Sequence, residues 1–118
     1  MSTQEIANRL VELCRKGDYA TCYQELYSQD AVSIEPDHAP PPHRAEGMDA
    51  LRKKGEMWQG MIEETYGGSV SDPIVAGDQF ACAMMVDWKM KGQERAKMEE
   101  ICLYKVKDGK IVSEQFFF

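Results

Sequence analysis

The chain is poor in the residues from which most recognisable sites are built. It has two histidines, His38 and His43, and four cysteines, Cys14, Cys22, Cys82 and Cys102, none of them in a C-x-x-C pair. Such spacing supplies neither a zinc site nor a disulfide framework, so the thiols are expected to be reduced and mostly buried. Asp37 and Glu46 flank the histidines, but Pro40, Pro41 and Pro42 separate them and no known ligand spacing results, so no metal is expected. No G-x-G-x-x-G, P-loop, H-E-x-x-H or nucleophile-elbow string occurs, which removes the usual anchors of dinucleotide, triphosphate, zincin and serine-hydrolase chemistry. Positive charge is short too: 14 Lys and Arg, scattered along the chain, face 20 Asp and Glu for a net charge of −6. That balance argues against nucleic acid or an anionic membrane as partner, since both reward a clustered positive field. Eighteen apolar residues never run together, and the opening MSTQEIANRL has neither the basic nor the apolar region of a secretory leader; a cytoplasmic protein is expected.

What the chain does have is a core-forming share of apolar residues, 43% of 118, and a change of period along its length. One domain of this size buries about two-thirds of the surface that its unfolded form exposes. Ile6, Leu10, Leu13 and Cys14 repeat at helical spacing, with Ser2 or Thr3 to start the run and Gly17 to end it. Asp18 then caps a second helix with the stripe Tyr19, Cys22, Tyr23, Leu26 and Tyr27. A short strand over Ala31–Glu35 ends at Pro36. Leu51, Trp58, Met61 and Ile62 mark a third helix from Met48 to about Tyr66, closed by Gly67-Gly68. After it the period becomes two, and Val70–Ala76, Phe80–Met90, Lys97–Val106 and Ile111–Phe118 read as strands joined at Gly77-Asp78, Lys91-Gly92-Gln93 and Asp108-Gly109. Helices first and an antiparallel meander afterwards predict an α+β fold with the helices on one face of a curved sheet.

Acids inside apolar strands are the candidates for chemistry. Glu100 shares a strand face with Met98, Cys102, Tyr104 and Val106, and Glu114 shares one with Val112, Phe116 and Phe118. A carboxyl group among such neighbours has its ionised form disfavoured, which raises its pKa towards the range useful for proton transfer. The plainer alternative places each acid at a sheet rim or against a lysine such as Lys105 or Lys110. For Glu35, simple alternation sends Val32 and Ile34 inward and turns Ser33 and Glu35 out. Trp58, Met84, Trp88 and the terminal phenylalanines are core by default, although a curved sheet with so many large side chains can also leave a ligand cavity.

Several strings together resemble the nuclear-transport-factor-two-like superfamily, and within it the SnoaL-like branch that includes polyketide cyclases and ketosteroid isomerase. They are the helix corner at KGDY, the strand AVSIEP, EGMDALRKKGEMW opening helix three, and the closing hairpin YKVKDGKIVSEQFFF; the resemblance spans the whole chain. It implies a cone-like, barrel-shaped antiparallel sheet wrapped around three helices, with a hydrophobic pocket inside and a dimer through the outer sheet face. The isomerase carries its base at the end of the first strand before a proline, so the resemblance turns Glu35 into the pocket, with a bulge beside Pro36 to reconcile this with alternation. The isomerase's oxyanion donors correspond to Leu10 and Cys102, so steroid-type isomerisation is not expected. By the same correspondence Met84, Val86, Trp88, Tyr104, Phe116 and Phe118 line the cavity.

The resulting expectation is a domain over residues 1–118 that binds a small, largely apolar or carbonyl-containing molecule. Glu35, Glu100 and Glu114 are its catalytic candidates, and Trp58, Met84, Val86, Trp88, Cys102, Tyr104, Phe116 and Phe118 its ligand-binding candidates. The chemistry expected is cofactor-free: Glu35 as base, with Glu100 or Glu114 donating to a developing oxyanion. The alternative is a non-catalytic binding or dimerisation module on the same scaffold. The half-apolar outer face, with Ala81, Ala83, Met85, Ile101, Leu103 and Phe117 at its centre, is expected to form a homodimer.

Overall fold

Ser2 accepts a hydrogen bond from the Glu5 backbone N–H while the Glu5 carboxylate accepts one from the Ser2 N–H, and this reciprocal cap starts helix α1 (Thr3–Arg15). Gly17, at φ +71°, turns the chain in the left-handed region. Asp18 then caps helix α2 (Tyr19–Leu26) by accepting from the Thr21 N–H. The computed structural model, which describes residues 1–118, thus contains the expected corner between two short helices. Tyr27 does not end α2; it opens strand β1 (Tyr27–Ile34), which is followed by β2 (Arg44–Glu46) and helix α3 (Met48–Met61). The remaining strands are β3 (Ile62–Val70), β4 (Ile74–Ala76), β5 (Gln79–Met90), β6 (Ala96–Lys107) and β7 (Lys110–Phe117).

The strands form one curved sheet in the order β2-β1-β7-β6-β5-β3, with β4 paired to β5. The fold is α+β, as expected, but three features of the expectation need correction. First, the sheet is mixed: β1 runs parallel to β7, because the helices and the whole meander intervene between them and return β7 in the same direction. Second, it is not a closed barrel, since β2 and β3 remain its two ends. Third, the third helix stops at Met61, and Gly67-Gly68 lie inside β3 rather than ending a helix. The apolar stripe of α3 ends at that point, and Ile62, Thr65 and Tyr66 are residues that favour strands.

The phase of β1 is also the reverse of plain alternation. Ala31, Ser33 and Glu35 are buried, whereas Val32 and Ile34 are only partly covered. No bulge beside Pro36 is needed to turn Glu35 inward; the irregularity in the β1–β7 pairing falls between Tyr27 and Val32. Period-two alternation is intact, and apolar residues occupy the less covered face. The core joins α1 (Ile6, Leu10), α2 (Leu26) and α3 (Leu51) to Phe80 on β5 and Ile111 on β7. No helix is long and apolar enough to cross a membrane.

Candidate functional site

Helix α3 points Leu51, Lys54 and Trp58 to the same side, because steps of three and four residues return to one face. Leu51 is core, and Lys54 follows it inward to 5% exposure. A lysine can occupy such a position when its aliphatic stem packs on apolar surface and its ammonium meets partners. Lys54 Nζ donates to Glu35 Oε1 at 2.8 Å and to Ser33 Oγ, and it stands 3.6 Å from Glu114 Oε2. It also lies 4.9 Å from the centroid of the Phe116 ring.

The strands supply the matching acceptors. Register places Ser33 of β1 and Tyr104 of β6 on either side of Glu114 of β7, so three adjacent strands deliver their side chains to one point. Glu114, 2% exposed, accepts from Ser33 Oγ at 2.6 Å and from the Tyr27 hydroxyl. Burial, and next the charge of Glu114, push the Tyr27 phenol well above its ordinary pKa, so it stays protonated and donates. Tyr27, Ser33, Glu114, Lys54 and Glu35 therefore form one connected polar cluster inside an apolar frame. Removing two carboxylates and an ammonium from water costs several kcal/mol per ion, and this mutual pairing is what offsets it.

Glu100, on the inward side of β6, is different. Its one hydrogen-bond partner is the Cys102 thiol, with Sγ 3.6 Å from Oε1. Burial pushes its carboxyl up to about 7; the Cys102 hydrogen bond opposes this, the nearby Glu35 and Glu114 charges add to it, and Lys54 lowers it slightly. At neutral pH it is present in both protonation states. Tyr104 is 2% exposed, and burial holds its phenol well above the usual range.

These groups face a cavity of about 860 Å³ between α2, α3 and the sheet. Of the residues expected at a site, Glu35, Glu100, Glu114, Trp58, Met84, Trp88, Tyr104, Phe116 and Phe118 line it. Val86 and Cys102 do not. Val86 is the shorter side chain among Met84, Trp88 and its cross-strand partner Met98, all of which reach the cavity. Cys102 is fully buried against its register partner Cys82. The expected alternative of a lysine partner for Glu114 from its own hairpin does not apply, because Lys110 donates to the Glu25 carbonyl and Lys105 is exposed. Trp58 and Trp88 stack with centroids 6.2 Å apart, and Phe118 meets Trp58 edge-on. His38 packs edge-on against Phe118, and His43 Nε2 lies 2.7 Å from the Ala39 carbonyl oxygen. No group of three or more His, Cys, Asp or Glu side chains is arranged to hold a metal ion.

Lys54, Ser33 and Tyr27 are the site residues that sequence reasoning passed over. The signal for Lys54 was present, since it sits on the Leu51–Trp58 stripe where an apolar residue belongs. Ser33 was hidden by the reversed phase of β1, and Tyr27 by its helical spacing from Tyr23.

The sequence matches the family model described as SnoaL-like domain over residues 1–118. Among solved structures, a protein from Mesorhizobium loti is 39% identical, with a TM-score of 0.92 and all of both chains covered. Its name assigns it provisionally as a SnoaL-like polyketide cyclase and adds the label carbohydrate phosphatase. A protein of unknown function with a cystatin-like fold from Xanthomonas campestris is 22% identical, covering 99% of this chain and 90% of its own, with a TM-score of 0.82. An NTF2-like protein of unknown function from Burkholderia pseudomallei is 16% identical, covering 100% and 92%, with a TM-score of 0.81. The last two show the fold alone. No curated protein matches the sequence.

Proposed function

Because this chain belongs to the SnoaL-like domain family, we propose that its cavity binds a small, largely apolar molecule and exchanges a proton with it without a cofactor. The observation that carries this reading is Glu100: a carboxyl with its pKa pushed up to about 7 lines an aromatic cavity together with Glu35, whose other oxygen is held by Lys54. A group that gains and loses its proton near neutrality is suited to general acid–base work. Glu114, by contrast, is already occupied by hydrogen bonds from Tyr27 and Ser33.

For a ligand with a C–H bond next to a carbonyl, the roles divide as follows. Glu35 takes the proton with the carboxylate oxygen not bonded to Lys54. The C–H electron pair moves to the carbonyl oxygen, and protonated Glu100 donates a hydrogen bond to the oxyanion that forms. Isomerisation, cyclisation, dehydration and hydrolysis all can begin from such a step.

The test is deuterium exchange into small ketones in D₂O, with acetophenone as first probe and the methyl proton signal as readout. The protein is expected to accelerate exchange, and Glu35→Gln to lose about a hundredfold or more of that acceleration. Saturable binding without exchange moves the chain to a second reading, a non-catalytic binding module. The closed pairing of Lys54 with Glu35 and Glu114 favours that reading, because a fully partnered polar cluster can also serve stability alone. Neither binding nor exchange rejects both.

A further inference from the structure

Charge around the cavity is unequal. Lys54 is the one cation in its interior, and it is committed to Glu35 and Glu114. Arg52 and Glu56, of opposite sign, are both exposed at the edge of the cavity. Glu100 is left with a thiol as its only polar partner. An anionic ligand would add repulsion to this arrangement, and a neutral one would leave an ionised Glu100 without a counter-charge.

The rings that line the same cavity as Glu100 have a complementary property. Met84 is its register partner on β5, and Phe118 follows Phe117, which pairs with Ile101 beside Glu100. Phe118 in turn touches Trp58, which stacks on Trp88. Indole and phenyl faces attract cations, above all where water is excluded. The protein already places one ammonium against a ring here, Lys54 over Phe116. The stacked indoles, with centroids 6.2 Å apart, leave no room for a methylated ammonium between them, so a second cation would contact ring faces and edges that border the cavity.

We propose that the cavity selects a small organic cation, an alkyl- or arylammonium, whose apolar body lies against Trp58, Trp88 and Phe118 and whose charge is paired with Glu100. This rests on the ligand-binding reading above and adds the charge of the ligand. A bound cation takes Glu100 as counter-ion, so Glu100 keeps its proton only for neutral ligands. The groups that set its titration are Glu35 from the end of β1, Glu114 from β7, Lys54 from α3 and the neighbouring Cys102; Tyr19 from α2 also senses its charge.

Binding of benzyltrimethylammonium and of acetophenone is measured by tryptophan fluorescence and thermal shift, on the whole chain and on Glu100→Gln. With Glu100 mainly protonated at about pH 6 and mainly ionised at about pH 8, cation affinity should rise about tenfold between them, in proportion to the ionised fraction. Acetophenone should bind more weakly than the cation at the higher pH, and Glu100→Gln should remove the pH dependence of cation binding. If acetophenone binds and the cation does not, the cation inference fails while the ligand-binding reading stands. Cation binding indifferent to pH or to Glu100→Gln also overturns the inference, and binding of neither probe overturns both.

Discussion

At the residue scale, the candidate site depends on one lysine. Lys54→Met keeps much of the side-chain volume but leaves Glu35 and Glu114 buried with no cation, and truncating one partner of a buried ion pair costs about 3–5 kcal/mol. Urea unfolding should show that loss, whereas a stability within about 1 kcal/mol of the parent would mean that water reaches the cluster. Glu100 makes the opposite kind of prediction. Its pKa rises from 4.5 to about 7 because burial disfavours the charge, so the folded state binds a proton that the unfolded state has released. The contribution to stability is complete below about 4.5 and is lost as the pH rises through about 7. Glu100→Gln has no charge to bury, so its melting temperature should match the parent in acid and exceed it above neutrality; equal melting temperatures at alkaline pH would refute the burial argument. Glu100 and Glu114 were legible in the sequence, because each interrupts an apolar strand face. Their different fates were not, since only neighbours distant in sequence leave one partnered and the other free.

At the element scale, the least expected segment is β3, read in the sequence as the end of a helix. Gly68 shows why that strand needs glycine: a Cβ there would lie 2.8 Å from the Met85 carbonyl oxygen, a backbone atom held by the β3–β5 pairing. Gly68→Ala should cost about 1–3 kcal/mol through that overlap. Gly67→Ala, with nothing within 4 Å of the new atom, is the control expected to stay within about 0.5 kcal/mol. Equal effects in denaturant titration would refute the close-approach account. A pair of glycines is an ordinary helix stop in sequence, and what distinguishes this pair is the backbone of another strand, which local pattern does not describe. β2 escaped notice for a simpler reason, as three residues are too few to display a period, and the strand expected over Val70–Ala76 is divided, with Val70 ending β3 and only Ile74–Ala76 forming β4. The starts of α1 and α2, by contrast, were legible at Ser2 and Asp18, because a cap is a contact between residues three apart.

For the whole molecule, the outer sheet face carries the next prediction. Ile101 and Phe117, 49% and 46% exposed, stand opposite each other in the β6–β7 register, with Leu103 and Met85 partly covered and Ala81 and Ala83 nearby. We propose that this face joins two copies of the chain. Light scattering at micromolar concentration should give a dimer mass, and Ile101→Glu should shift it towards the monomer; a monomeric parent would reject the interface. Sequence by itself determined the features that are local in the chain: the change from helical to strand period, the capped helix starts, and the apolar strand faces interrupted by Glu100 and Glu114. Those features sufficed for the α+β class, since each depends on spacings of two to four residues. Tertiary structure alone decided that β1 lies parallel to β7, that Ser33 rather than Val32 and Ile34 turns inward, and that Lys54 meets its two acids. The contacts responsible join residues 19 to 87 positions apart, and a buried charge is stable only where such distant partners converge, which no local period can specify.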